Sequence, residues 1–454
     1  MELYNKKVVV VGTGVSGIGA VKLLWETRAV ITLYDGNEKA DKVAIAAKLP
    51  DNIKYELIIG KMPQEIVDAT DLLVISPGVP IDSEIVELFR KAGVPVWGEI
   101  ELAYNYEKGT VYAITGTNGK TTTTSLVGEI MKNYNENTFV VGNIGTSYTG
   151  EVLNTTKDSN TIAEISSFQL ETIHDFAPKG TAILNITPDH LDRHYTMENY
   201  AKVKESITKN QWNRWDDGFC VLNYDDEELR RFGEDIPNPI FFSRKNKLKK
   251  GVYLSGSMIK YVADNVEEDI VSIEDMHIFG NHNYENAMAA IALTIEAGVP
   301  VEIIRDTVRS FKGVEHRIEY VREFNGVKYY NDSKGTNPDS SIKALEAMSR
   351  PTLLIAGGYD KHSEFYEFIE AFDNKVKLLV LIGQTADLIE NTARECGFDK
   401  IVRADSLLEA VKICSDNAAE GDVVLLSPAC ASWGMFKNYE ERGVLFKQYV
   451  NDLK

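Results

Sequence analysis

The stretch with the plainest chemistry is Gly116-Thr117-Asn118-Gly119-Lys120-Thr121-Thr122. An apolar run at 111–115 precedes it and a helical pattern follows, so it reads as strand, tight turn and helix. Backbone N–H groups at a helix N-terminus favour phosphate oxygens. A lysine on the terminal phosphates and a threonine hydroxyl on Mg²⁺ complete a cradle for a nucleoside triphosphate. The usual phosphate loop carries an earlier glycine, at the position that Ile114 takes here, so the loop is a variant. The plain alternative is a coincidental helix start, and the strand before it argues against that. Glu164 sits in the apolar run 161–165, and His190 follows the run 181–186 within Thr187-Pro188-Asp189-His190. With the Thr121 hydroxyl, these are donors that could ligate Mg²⁺. Taken alone, Glu164 is also a solvated strand-end acid and His190 a structural histidine. Lys202 and Lys204 fall on a helix expected over 197–208, and spacing gives neither a role.

Two other sets of polar residues end apolar runs. Gly12-Thr13-Gly14-Val15-Ser16-Gly17 follows the run 8–11, and Asp35 closes a second strand about 20 residues downstream. That is a dinucleotide fingerprint, open to an NAD-dependent dehydrogenase or to any pyrophosphate-linked nucleotide. Ser76-Pro77-Gly78-Val79-Pro80 ends the strand 71–75, where ligands sit in open α/β sheets. Towards the C-terminus, Asp332-Ser333-Lys334-Gly335-Thr336, Gly357-Gly358-Tyr359-Asp360-Lys361 and Ser427-Pro428-Ala429-Cys430-Ala431-Ser432 follow three more runs.

The elements that must position these residues alternate strand and helix. They predict an α/β protein of three domains: a Rossmann-like domain over 1–97, a central P-loop ATPase-type domain with a mixed, mainly parallel sheet over 98–313, and a Rossmann-like domain over 314–454. Such a set suits an ATP-dependent joining enzyme, with one domain per substrate around a phosphoryl-transfer centre. The 454 residues are 44% hydrophobic and 26% charged, as in ordinary globular proteins. A net charge of −19 argues against nucleic acid or an anionic membrane surface as partner, and leaves small anionic ligands open. Four cysteines without metal or disulfide spacing suit a reducing cytosol. No signal peptide or membrane span is legible, so a cytoplasmic monomer acting on small molecules is expected.

In this order along the chain, the strings 115–121, Glu164-Ile165-Ser166-Ser167-Phe168-Gln169-Leu170, Asp189-His190-Leu191-Asp192, Gly280-Asn281-His282-Asn283, His316-Arg317, Asp332-Ser333-Lys334 and 427–432 resemble the Mur ligases over essentially the whole chain. These are ATP-dependent amide-forming enzymes of peptidoglycan precursor synthesis, and the likeness is greatest to their D-glutamate-adding branch. The resemblance implies that 116–122 holds the ATP phosphates, with Lys120 on the terminal ones. It implies Thr121 and Glu164 on one Mg²⁺ and His190 on a second, so two ions. Lys204 takes the place of a lysine carbamylated by CO₂, whose two oxygens would join the metal ligands, with Lys202 as its off-register competitor. Lys120, Glu164, His190 and Lys204 are then the catalytic set.

The same resemblance places Asn283, Asn286, Arg317 and Asp332 on the nucleotide. Lys334, Thr336, Lys361, Ser432 and Tyr439 would face D-glutamate. Val15, Ser16, Asp35, Ser76, Pro77 and Gly78 would take the UDP of UDP-N-acetylmuramoyl-L-alanine, and Asn143 its sugar. Two positions depart from the family: Gly36-Asn37 stands where Thr-Arg is common after the aspartate, and Tyr439 where phenylalanine is common. The competing readings are an L-alanine- or diamino-acid-adding relative, a folylpolyglutamate synthetase, a dehydrogenase, or a nucleotide sensor without catalysis.

Overall fold

Three sheets carry the chain. They belong to a computed structural model that describes residues 1–143, 146–359 and 363–454. The first sheet is wholly parallel, in the order Glu56–Ile59, Val30–Asp35, Lys7–Val11, Leu72–Ile75, Val96–Gly98. Its central strand, KVVVV, buries Val8 through Val11, as a strand covered on both faces requires. The chain then turns into the helix Val15–Glu26. A Cβ at Gly17 would lie 1.9 Å from the Gly12 carbonyl oxygen, so only glycine lets the helix pack this close to the turn. Strand order reverses between Lys7–Val11 and Leu72–Ile75, which opens a crevice at their carboxyl ends.

The second sheet has Thr110–Thr115 between Asn160–Glu164 and Gly180–Ile183, all parallel, with Thr138–Gly142 at one edge. Parallel pairing continues through Phe219–Asn223 and Pro239–Ser243 to Gly251–Ser255. An antiparallel hairpin, Met258–Ala263 and Val266–Ser272, completes it. The sequence reading misses the last strand because Val266-Glu267-Glu268-Asp269 is exposed throughout, as a charged edge is. The third sheet runs Glu319–Phe324, Val327–Asn331, Val423–Leu426, Thr352–Ala356, Val376–Leu381, Ile401–Arg403, antiparallel only at its first pair. Neighbouring residues alternate between its two faces: Leu354, Leu379 and Leu425 pack into one apolar cluster, Leu353, Val380 and Val424 into the other.

By packing, the chain forms two units, Met1–Asp275 with Glu285–Arg309, and Met276–Tyr284 with Ser310–Lys454. One hydrophobic cluster joins the first two sheets inside the first unit, through Trp97, Ile100, Tyr104 and Tyr148. The helix expected from 287 begins at Asn281, so Asn283 and Asn286 lie on it. Among the described residues no helix is long and apolar enough to cross a membrane.

Candidate active site

The phosphate loop is shaped by its neighbours. Thr117 N–H donates to the Asn185 carbonyl at 2.9 Å, and Asn118 N–H to Asn185 Oδ1 at 2.8 Å. The Asn185 side chain returns a bond to the Asn118 carbonyl at 3.1 Å. Two loop amides are thus spent on shape, and the helix start at Lys120 holds the amides best placed for a phosphate. Gly119, with φ +84°, is the N-cap of the helix Lys120–Tyr134, and a Cβ there would meet Asn286 Oδ1 at 2.1 Å. Asn286 is therefore packed directly against the loop. Thr122, Thr123 and Thr124 are buried, and the hydroxyls of Thr123 and Thr124 have no partner among the described residues. Of the four threonines 121–124, Thr121 alone stays half-exposed.

Two lysines converge on one backbone oxygen. Lys120 Nζ donates to the carbonyls of Gly116 and Thr117, both at 2.8 Å. Lys204 Nζ donates to the same Gly116 carbonyl at 2.8 Å. Lys204 is 1% exposed, on the inner face of the helix Met197–Glu205, with its ammonium 4.7 Å from the Tyr200 ring centroid. Lys202 lies on the outer face, paired with Glu198 at 2.6 Å. Burial, reinforced by the Lys120 charge, pushes the Lys204 ammonium well below the ordinary lysine range.

Glu164 ends the strand beside the loop and is 1% exposed. Asn143 Nδ2 donates to its Oε1 at 2.9 Å, and Oε2 is buried with no partner among the described residues. An orphaned carboxylate oxygen beside a phosphate loop has the chemistry of a Mg²⁺ ligand. His190 is exposed, with its ring 4.8 Å from that of Phe168 and Nε2 3.5 Å from Asp189. In the first domain, Asp35 accepts from Thr13 Oγ1 at 2.6 Å and from Asn37 N–H at 3.0 Å. Ser76 Oγ is buried, has no partner among the described residues and faces the glycine turn, while Val15 is 82% exposed beside the half-buried Ser16. The Pro77 carbonyl accepts a bond from Arg193 Nη1, and Gly78 is exposed.

In the second unit, Asp332 is buried and accepts from Ser427 Oγ at 2.7 Å and from Ile318 N–H at 3.3 Å. Burial raises its carboxyl to about 6, against the pull of Arg317. Asn283 and Arg317 line a cavity of about 770 Å³ with Phe279, Tyr320 and Tyr330. Lys334 stands 5.8 Å from the ring centroid of Tyr439, and Thr336 N–H bonds back to the Lys334 carbonyl at 2.9 Å. Ser432 is buried; Lys361 lies outside the described residues. The sequence reading did not find Arg442, which is wholly buried and donates to Ser333 Oγ at 3.0 Å, the Ser333 carbonyl at 2.8 Å and the Cys430 carbonyl at 3.2 Å. It straps the 332–334 loop to the 427–432 loop. A helix arginine gives no local signal of this. Asn185 was equally silent.

Known proteins resemble this chain in sequence and in fold. Family models match along the chain: the Mur ligase MurD-like N-terminal domain at residues 6–98, the Mur ligase middle domain at 114–294, and the Mur ligase glutamate ligase domain at 316–430. A UDP-N-acetylmuramoylalanine–D-glutamate ligase of Lachnospira eligens is 60% identical over the whole of both chains. The chain belongs to the Mur ligase family. It is thereby an ATP-dependent ligase with the three-domain α/β fold of that family. A second relative of the same name, from Lachnoclostridium phytofermentans, is 53% identical over the full length of both. Among solved structures, the UDP-N-acetylmuramate–alanine ligase MurC of Thermotoga maritima shares the fold, with a TM-score of 0.61 at 19% identity over 99% of this chain and 100% of that one. MurF ligase from the same organism, solved with ADP, has a TM-score of 0.59 at 18% identity over 99% and 96%.

Proposed function

We propose that this Mur ligase joins the L-alanine carboxylate of UDP-N-acetylmuramoyl-L-alanine to the amine of D-glutamate, with ATP as phosphoryl donor, in the cytoplasm and as a monomer. The observation that carries the reading is the 60% full-length identity to a ligase of that name. The phosphate loop, its two lysines and the orphaned Glu164 oxygen are consistent with it.

A carboxylate does not react with an amine at neutral pH because oxide is a poor leaving group. Transfer of the γ-phosphoryl of ATP to the carboxylate gives an acyl phosphate. Attack by the D-glutamate amine then forms the amide and expels phosphate, leaving ADP. Lys120 and the helix start hold the terminal phosphates and spread their charge during transfer. Glu164, Thr121 and His190 supply the donors for Mg²⁺, which neutralises charge on the transferring group when bound. The Lys204 ammonium first gives up one proton; the free amine then adds to CO₂, an N–C bond forms and a second proton leaves, so that a cation becomes an anion with two oxygens. Asn283, Asn286, Arg317 and Asp332 hold the nucleotide. Val15, Ser16, Asp35, Ser76, Pro77 and Gly78 take the UDP, with Asn143 at the sugar. Lys334 and Lys361 pair the D-glutamate carboxylates, leaving its amine free to attack, while Thr336, Ser432 and Tyr439 orient it.

Phosphate release tests the reading, assayed with ATP, Mg²⁺, UDP-N-acetylmuramoyl-L-alanine and each candidate amino acid in turn. Release is expected with D-glutamate. Release with L-alanine or a diamino acid, and none with D-glutamate, would overturn the assignment.

A further inference from the structure

The segment from His190 to Tyr195 is tethered to the first domain. Arg193 lies in the short helix Leu191–His194, and its side chain is nearly buried. Nε donates to both carboxylate oxygens of Glu171, at 3.3 and 3.1 Å, and Nη2 reaches the same carboxylate. Nη1 donates to the Pro77 carbonyl at 2.9 Å, and Nη2 to the Val79 carbonyl at 3.1 Å. The guanidinium carbon is 4.1 Å from the Phe168 ring centroid, and that ring is itself 4.8 Å from the His190 ring. Glu171 already cancels the charge. What the fork adds is direction: two parallel bonds that hold the 76–80 turn.

Two other observations point the same way. The backbone is left-handed at both ends of the segment, with φ +52° at His190 and +67° at Tyr195. Non-glycine residues hold that conformation when their surroundings impose it. Tyr195 OH also donates to Asp82 Oδ2 at 2.6 Å, a second tether just beyond the same turn.

We infer that Arg193 is a positioning residue that fixes the 76–80 turn and the His190 segment as one unit, so that substrate seated on the turn sets the place of the His190 imidazole. Its functional part rests on the proposed reading of the turn as a UDP contact and His190 as a metal contact. The clamp itself is testable without any substrate.

Hydrogen exchange would be followed at the Val79 amide, which donates to the Ser76 carbonyl at 2.9 Å, and at the Tyr195 amide, which donates to the Leu191 carbonyl at 2.9 Å. Arg193→Lys keeps the charge against Glu171 but cannot span both carbonyls. It and Arg193→Ala should speed exchange at both amides together, by about ten-fold or more. Acceleration at only one, or at neither, overturns the clamp. In steady-state assays of Arg193→Lys, the KM for the UDP-linked substrate and the Mg²⁺ half-saturation should rise together by about ten-fold, with the KM for ATP within about two-fold. Lower turnover with both values unchanged would mark a merely structural arginine and overturn the coupling. If the wild-type enzyme itself releases no phosphate, the functional reading fails while the exchange result still decides the clamp.

Discussion

The phosphate-loop corner and the Asp332 pocket are both buried and polar, and they resolve their charge in opposite ways. At the loop, Lys120 and Lys204 meet on a single carbonyl oxygen, while one carboxylate oxygen of Glu164 has no partner among the described residues. Around Asp332, a seryl hydroxyl and an amide each bond one carboxyl oxygen, and Ser341 Oγ bonds both Ser427 Oγ at 2.8 Å and Ala429 N–H at 2.9 Å. The difference separates a corner with a carboxylate oxygen left open from a pocket in which each carboxyl oxygen already has a partner. Buried polar atoms left unpaired are costly, so they persist where a ligand answers them.

Removing Lys204 should break that contrast most severely. Lys204→Ala should lower turnover by about a thousand-fold or more, with partial rescue by bicarbonate or a small carboxylic acid that supplies the missing oxygens. Full activity in Lys204→Ala would leave the two-lysine arrangement without a catalytic role. Next in size is Glu164→Gln, which keeps the shape and the capacity to accept from Asn143 but replaces the orphaned oxygen with a donor. It should cost about a hundred-fold in turnover and raise the Mg²⁺ requirement, read from a Mg²⁺ titration. An unchanged titration would show that Oε2 ligates nothing.

The smallest effect concerns the Asp332 pocket. Folding raises the Asp332 carboxyl from its ordinary 3.8 to about 6, so the native state binds its proton more tightly than the unfolded chain does. The stability this contributes is fully present below about pH 4 and is lost as pH rises through about 6. Asp332→Asn should flatten that part of the slope in thermal unfolding midpoints measured across the window. Parallel slopes for the two proteins would contradict a buried, titrating Asp332.

Legibility followed how local the signal is. The glycine loops at 12–17 and 116–119, and the apolar strands before them, could be read directly, because turn and sheet chemistry act between near neighbours. Lys204 was placed by resemblance alone. Its burial depends on which face of a helix meets the loop, and Lys202 two residues earlier offers the same side chain to solvent. Arg442 and Asn185 were invisible for a related reason: each acts across more than sixty residues of sequence, on Ser333 and Asn118 respectively. Asn143 carried a sugar contact by resemblance, and it also orients Glu164. The charged edge strand Val266–Ser272 was lost because its residues show no alternation of burial to read.

The most direct test follows oxygen rather than rate. UDP-N-acetylmuramoyl-L-alanine labelled with ¹⁸O in the alanine carboxylate would be turned over with ATP and D-glutamate, and the inorganic phosphate analysed by mass. If the γ-phosphoryl group is transferred to that carboxylate at the Lys120 loop, an ¹⁸O atom from the carboxylate appears in the released phosphate. Phosphate that carries no label, at full conversion to amide, would contradict carboxylate phosphorylation and with it the role assigned to the loop.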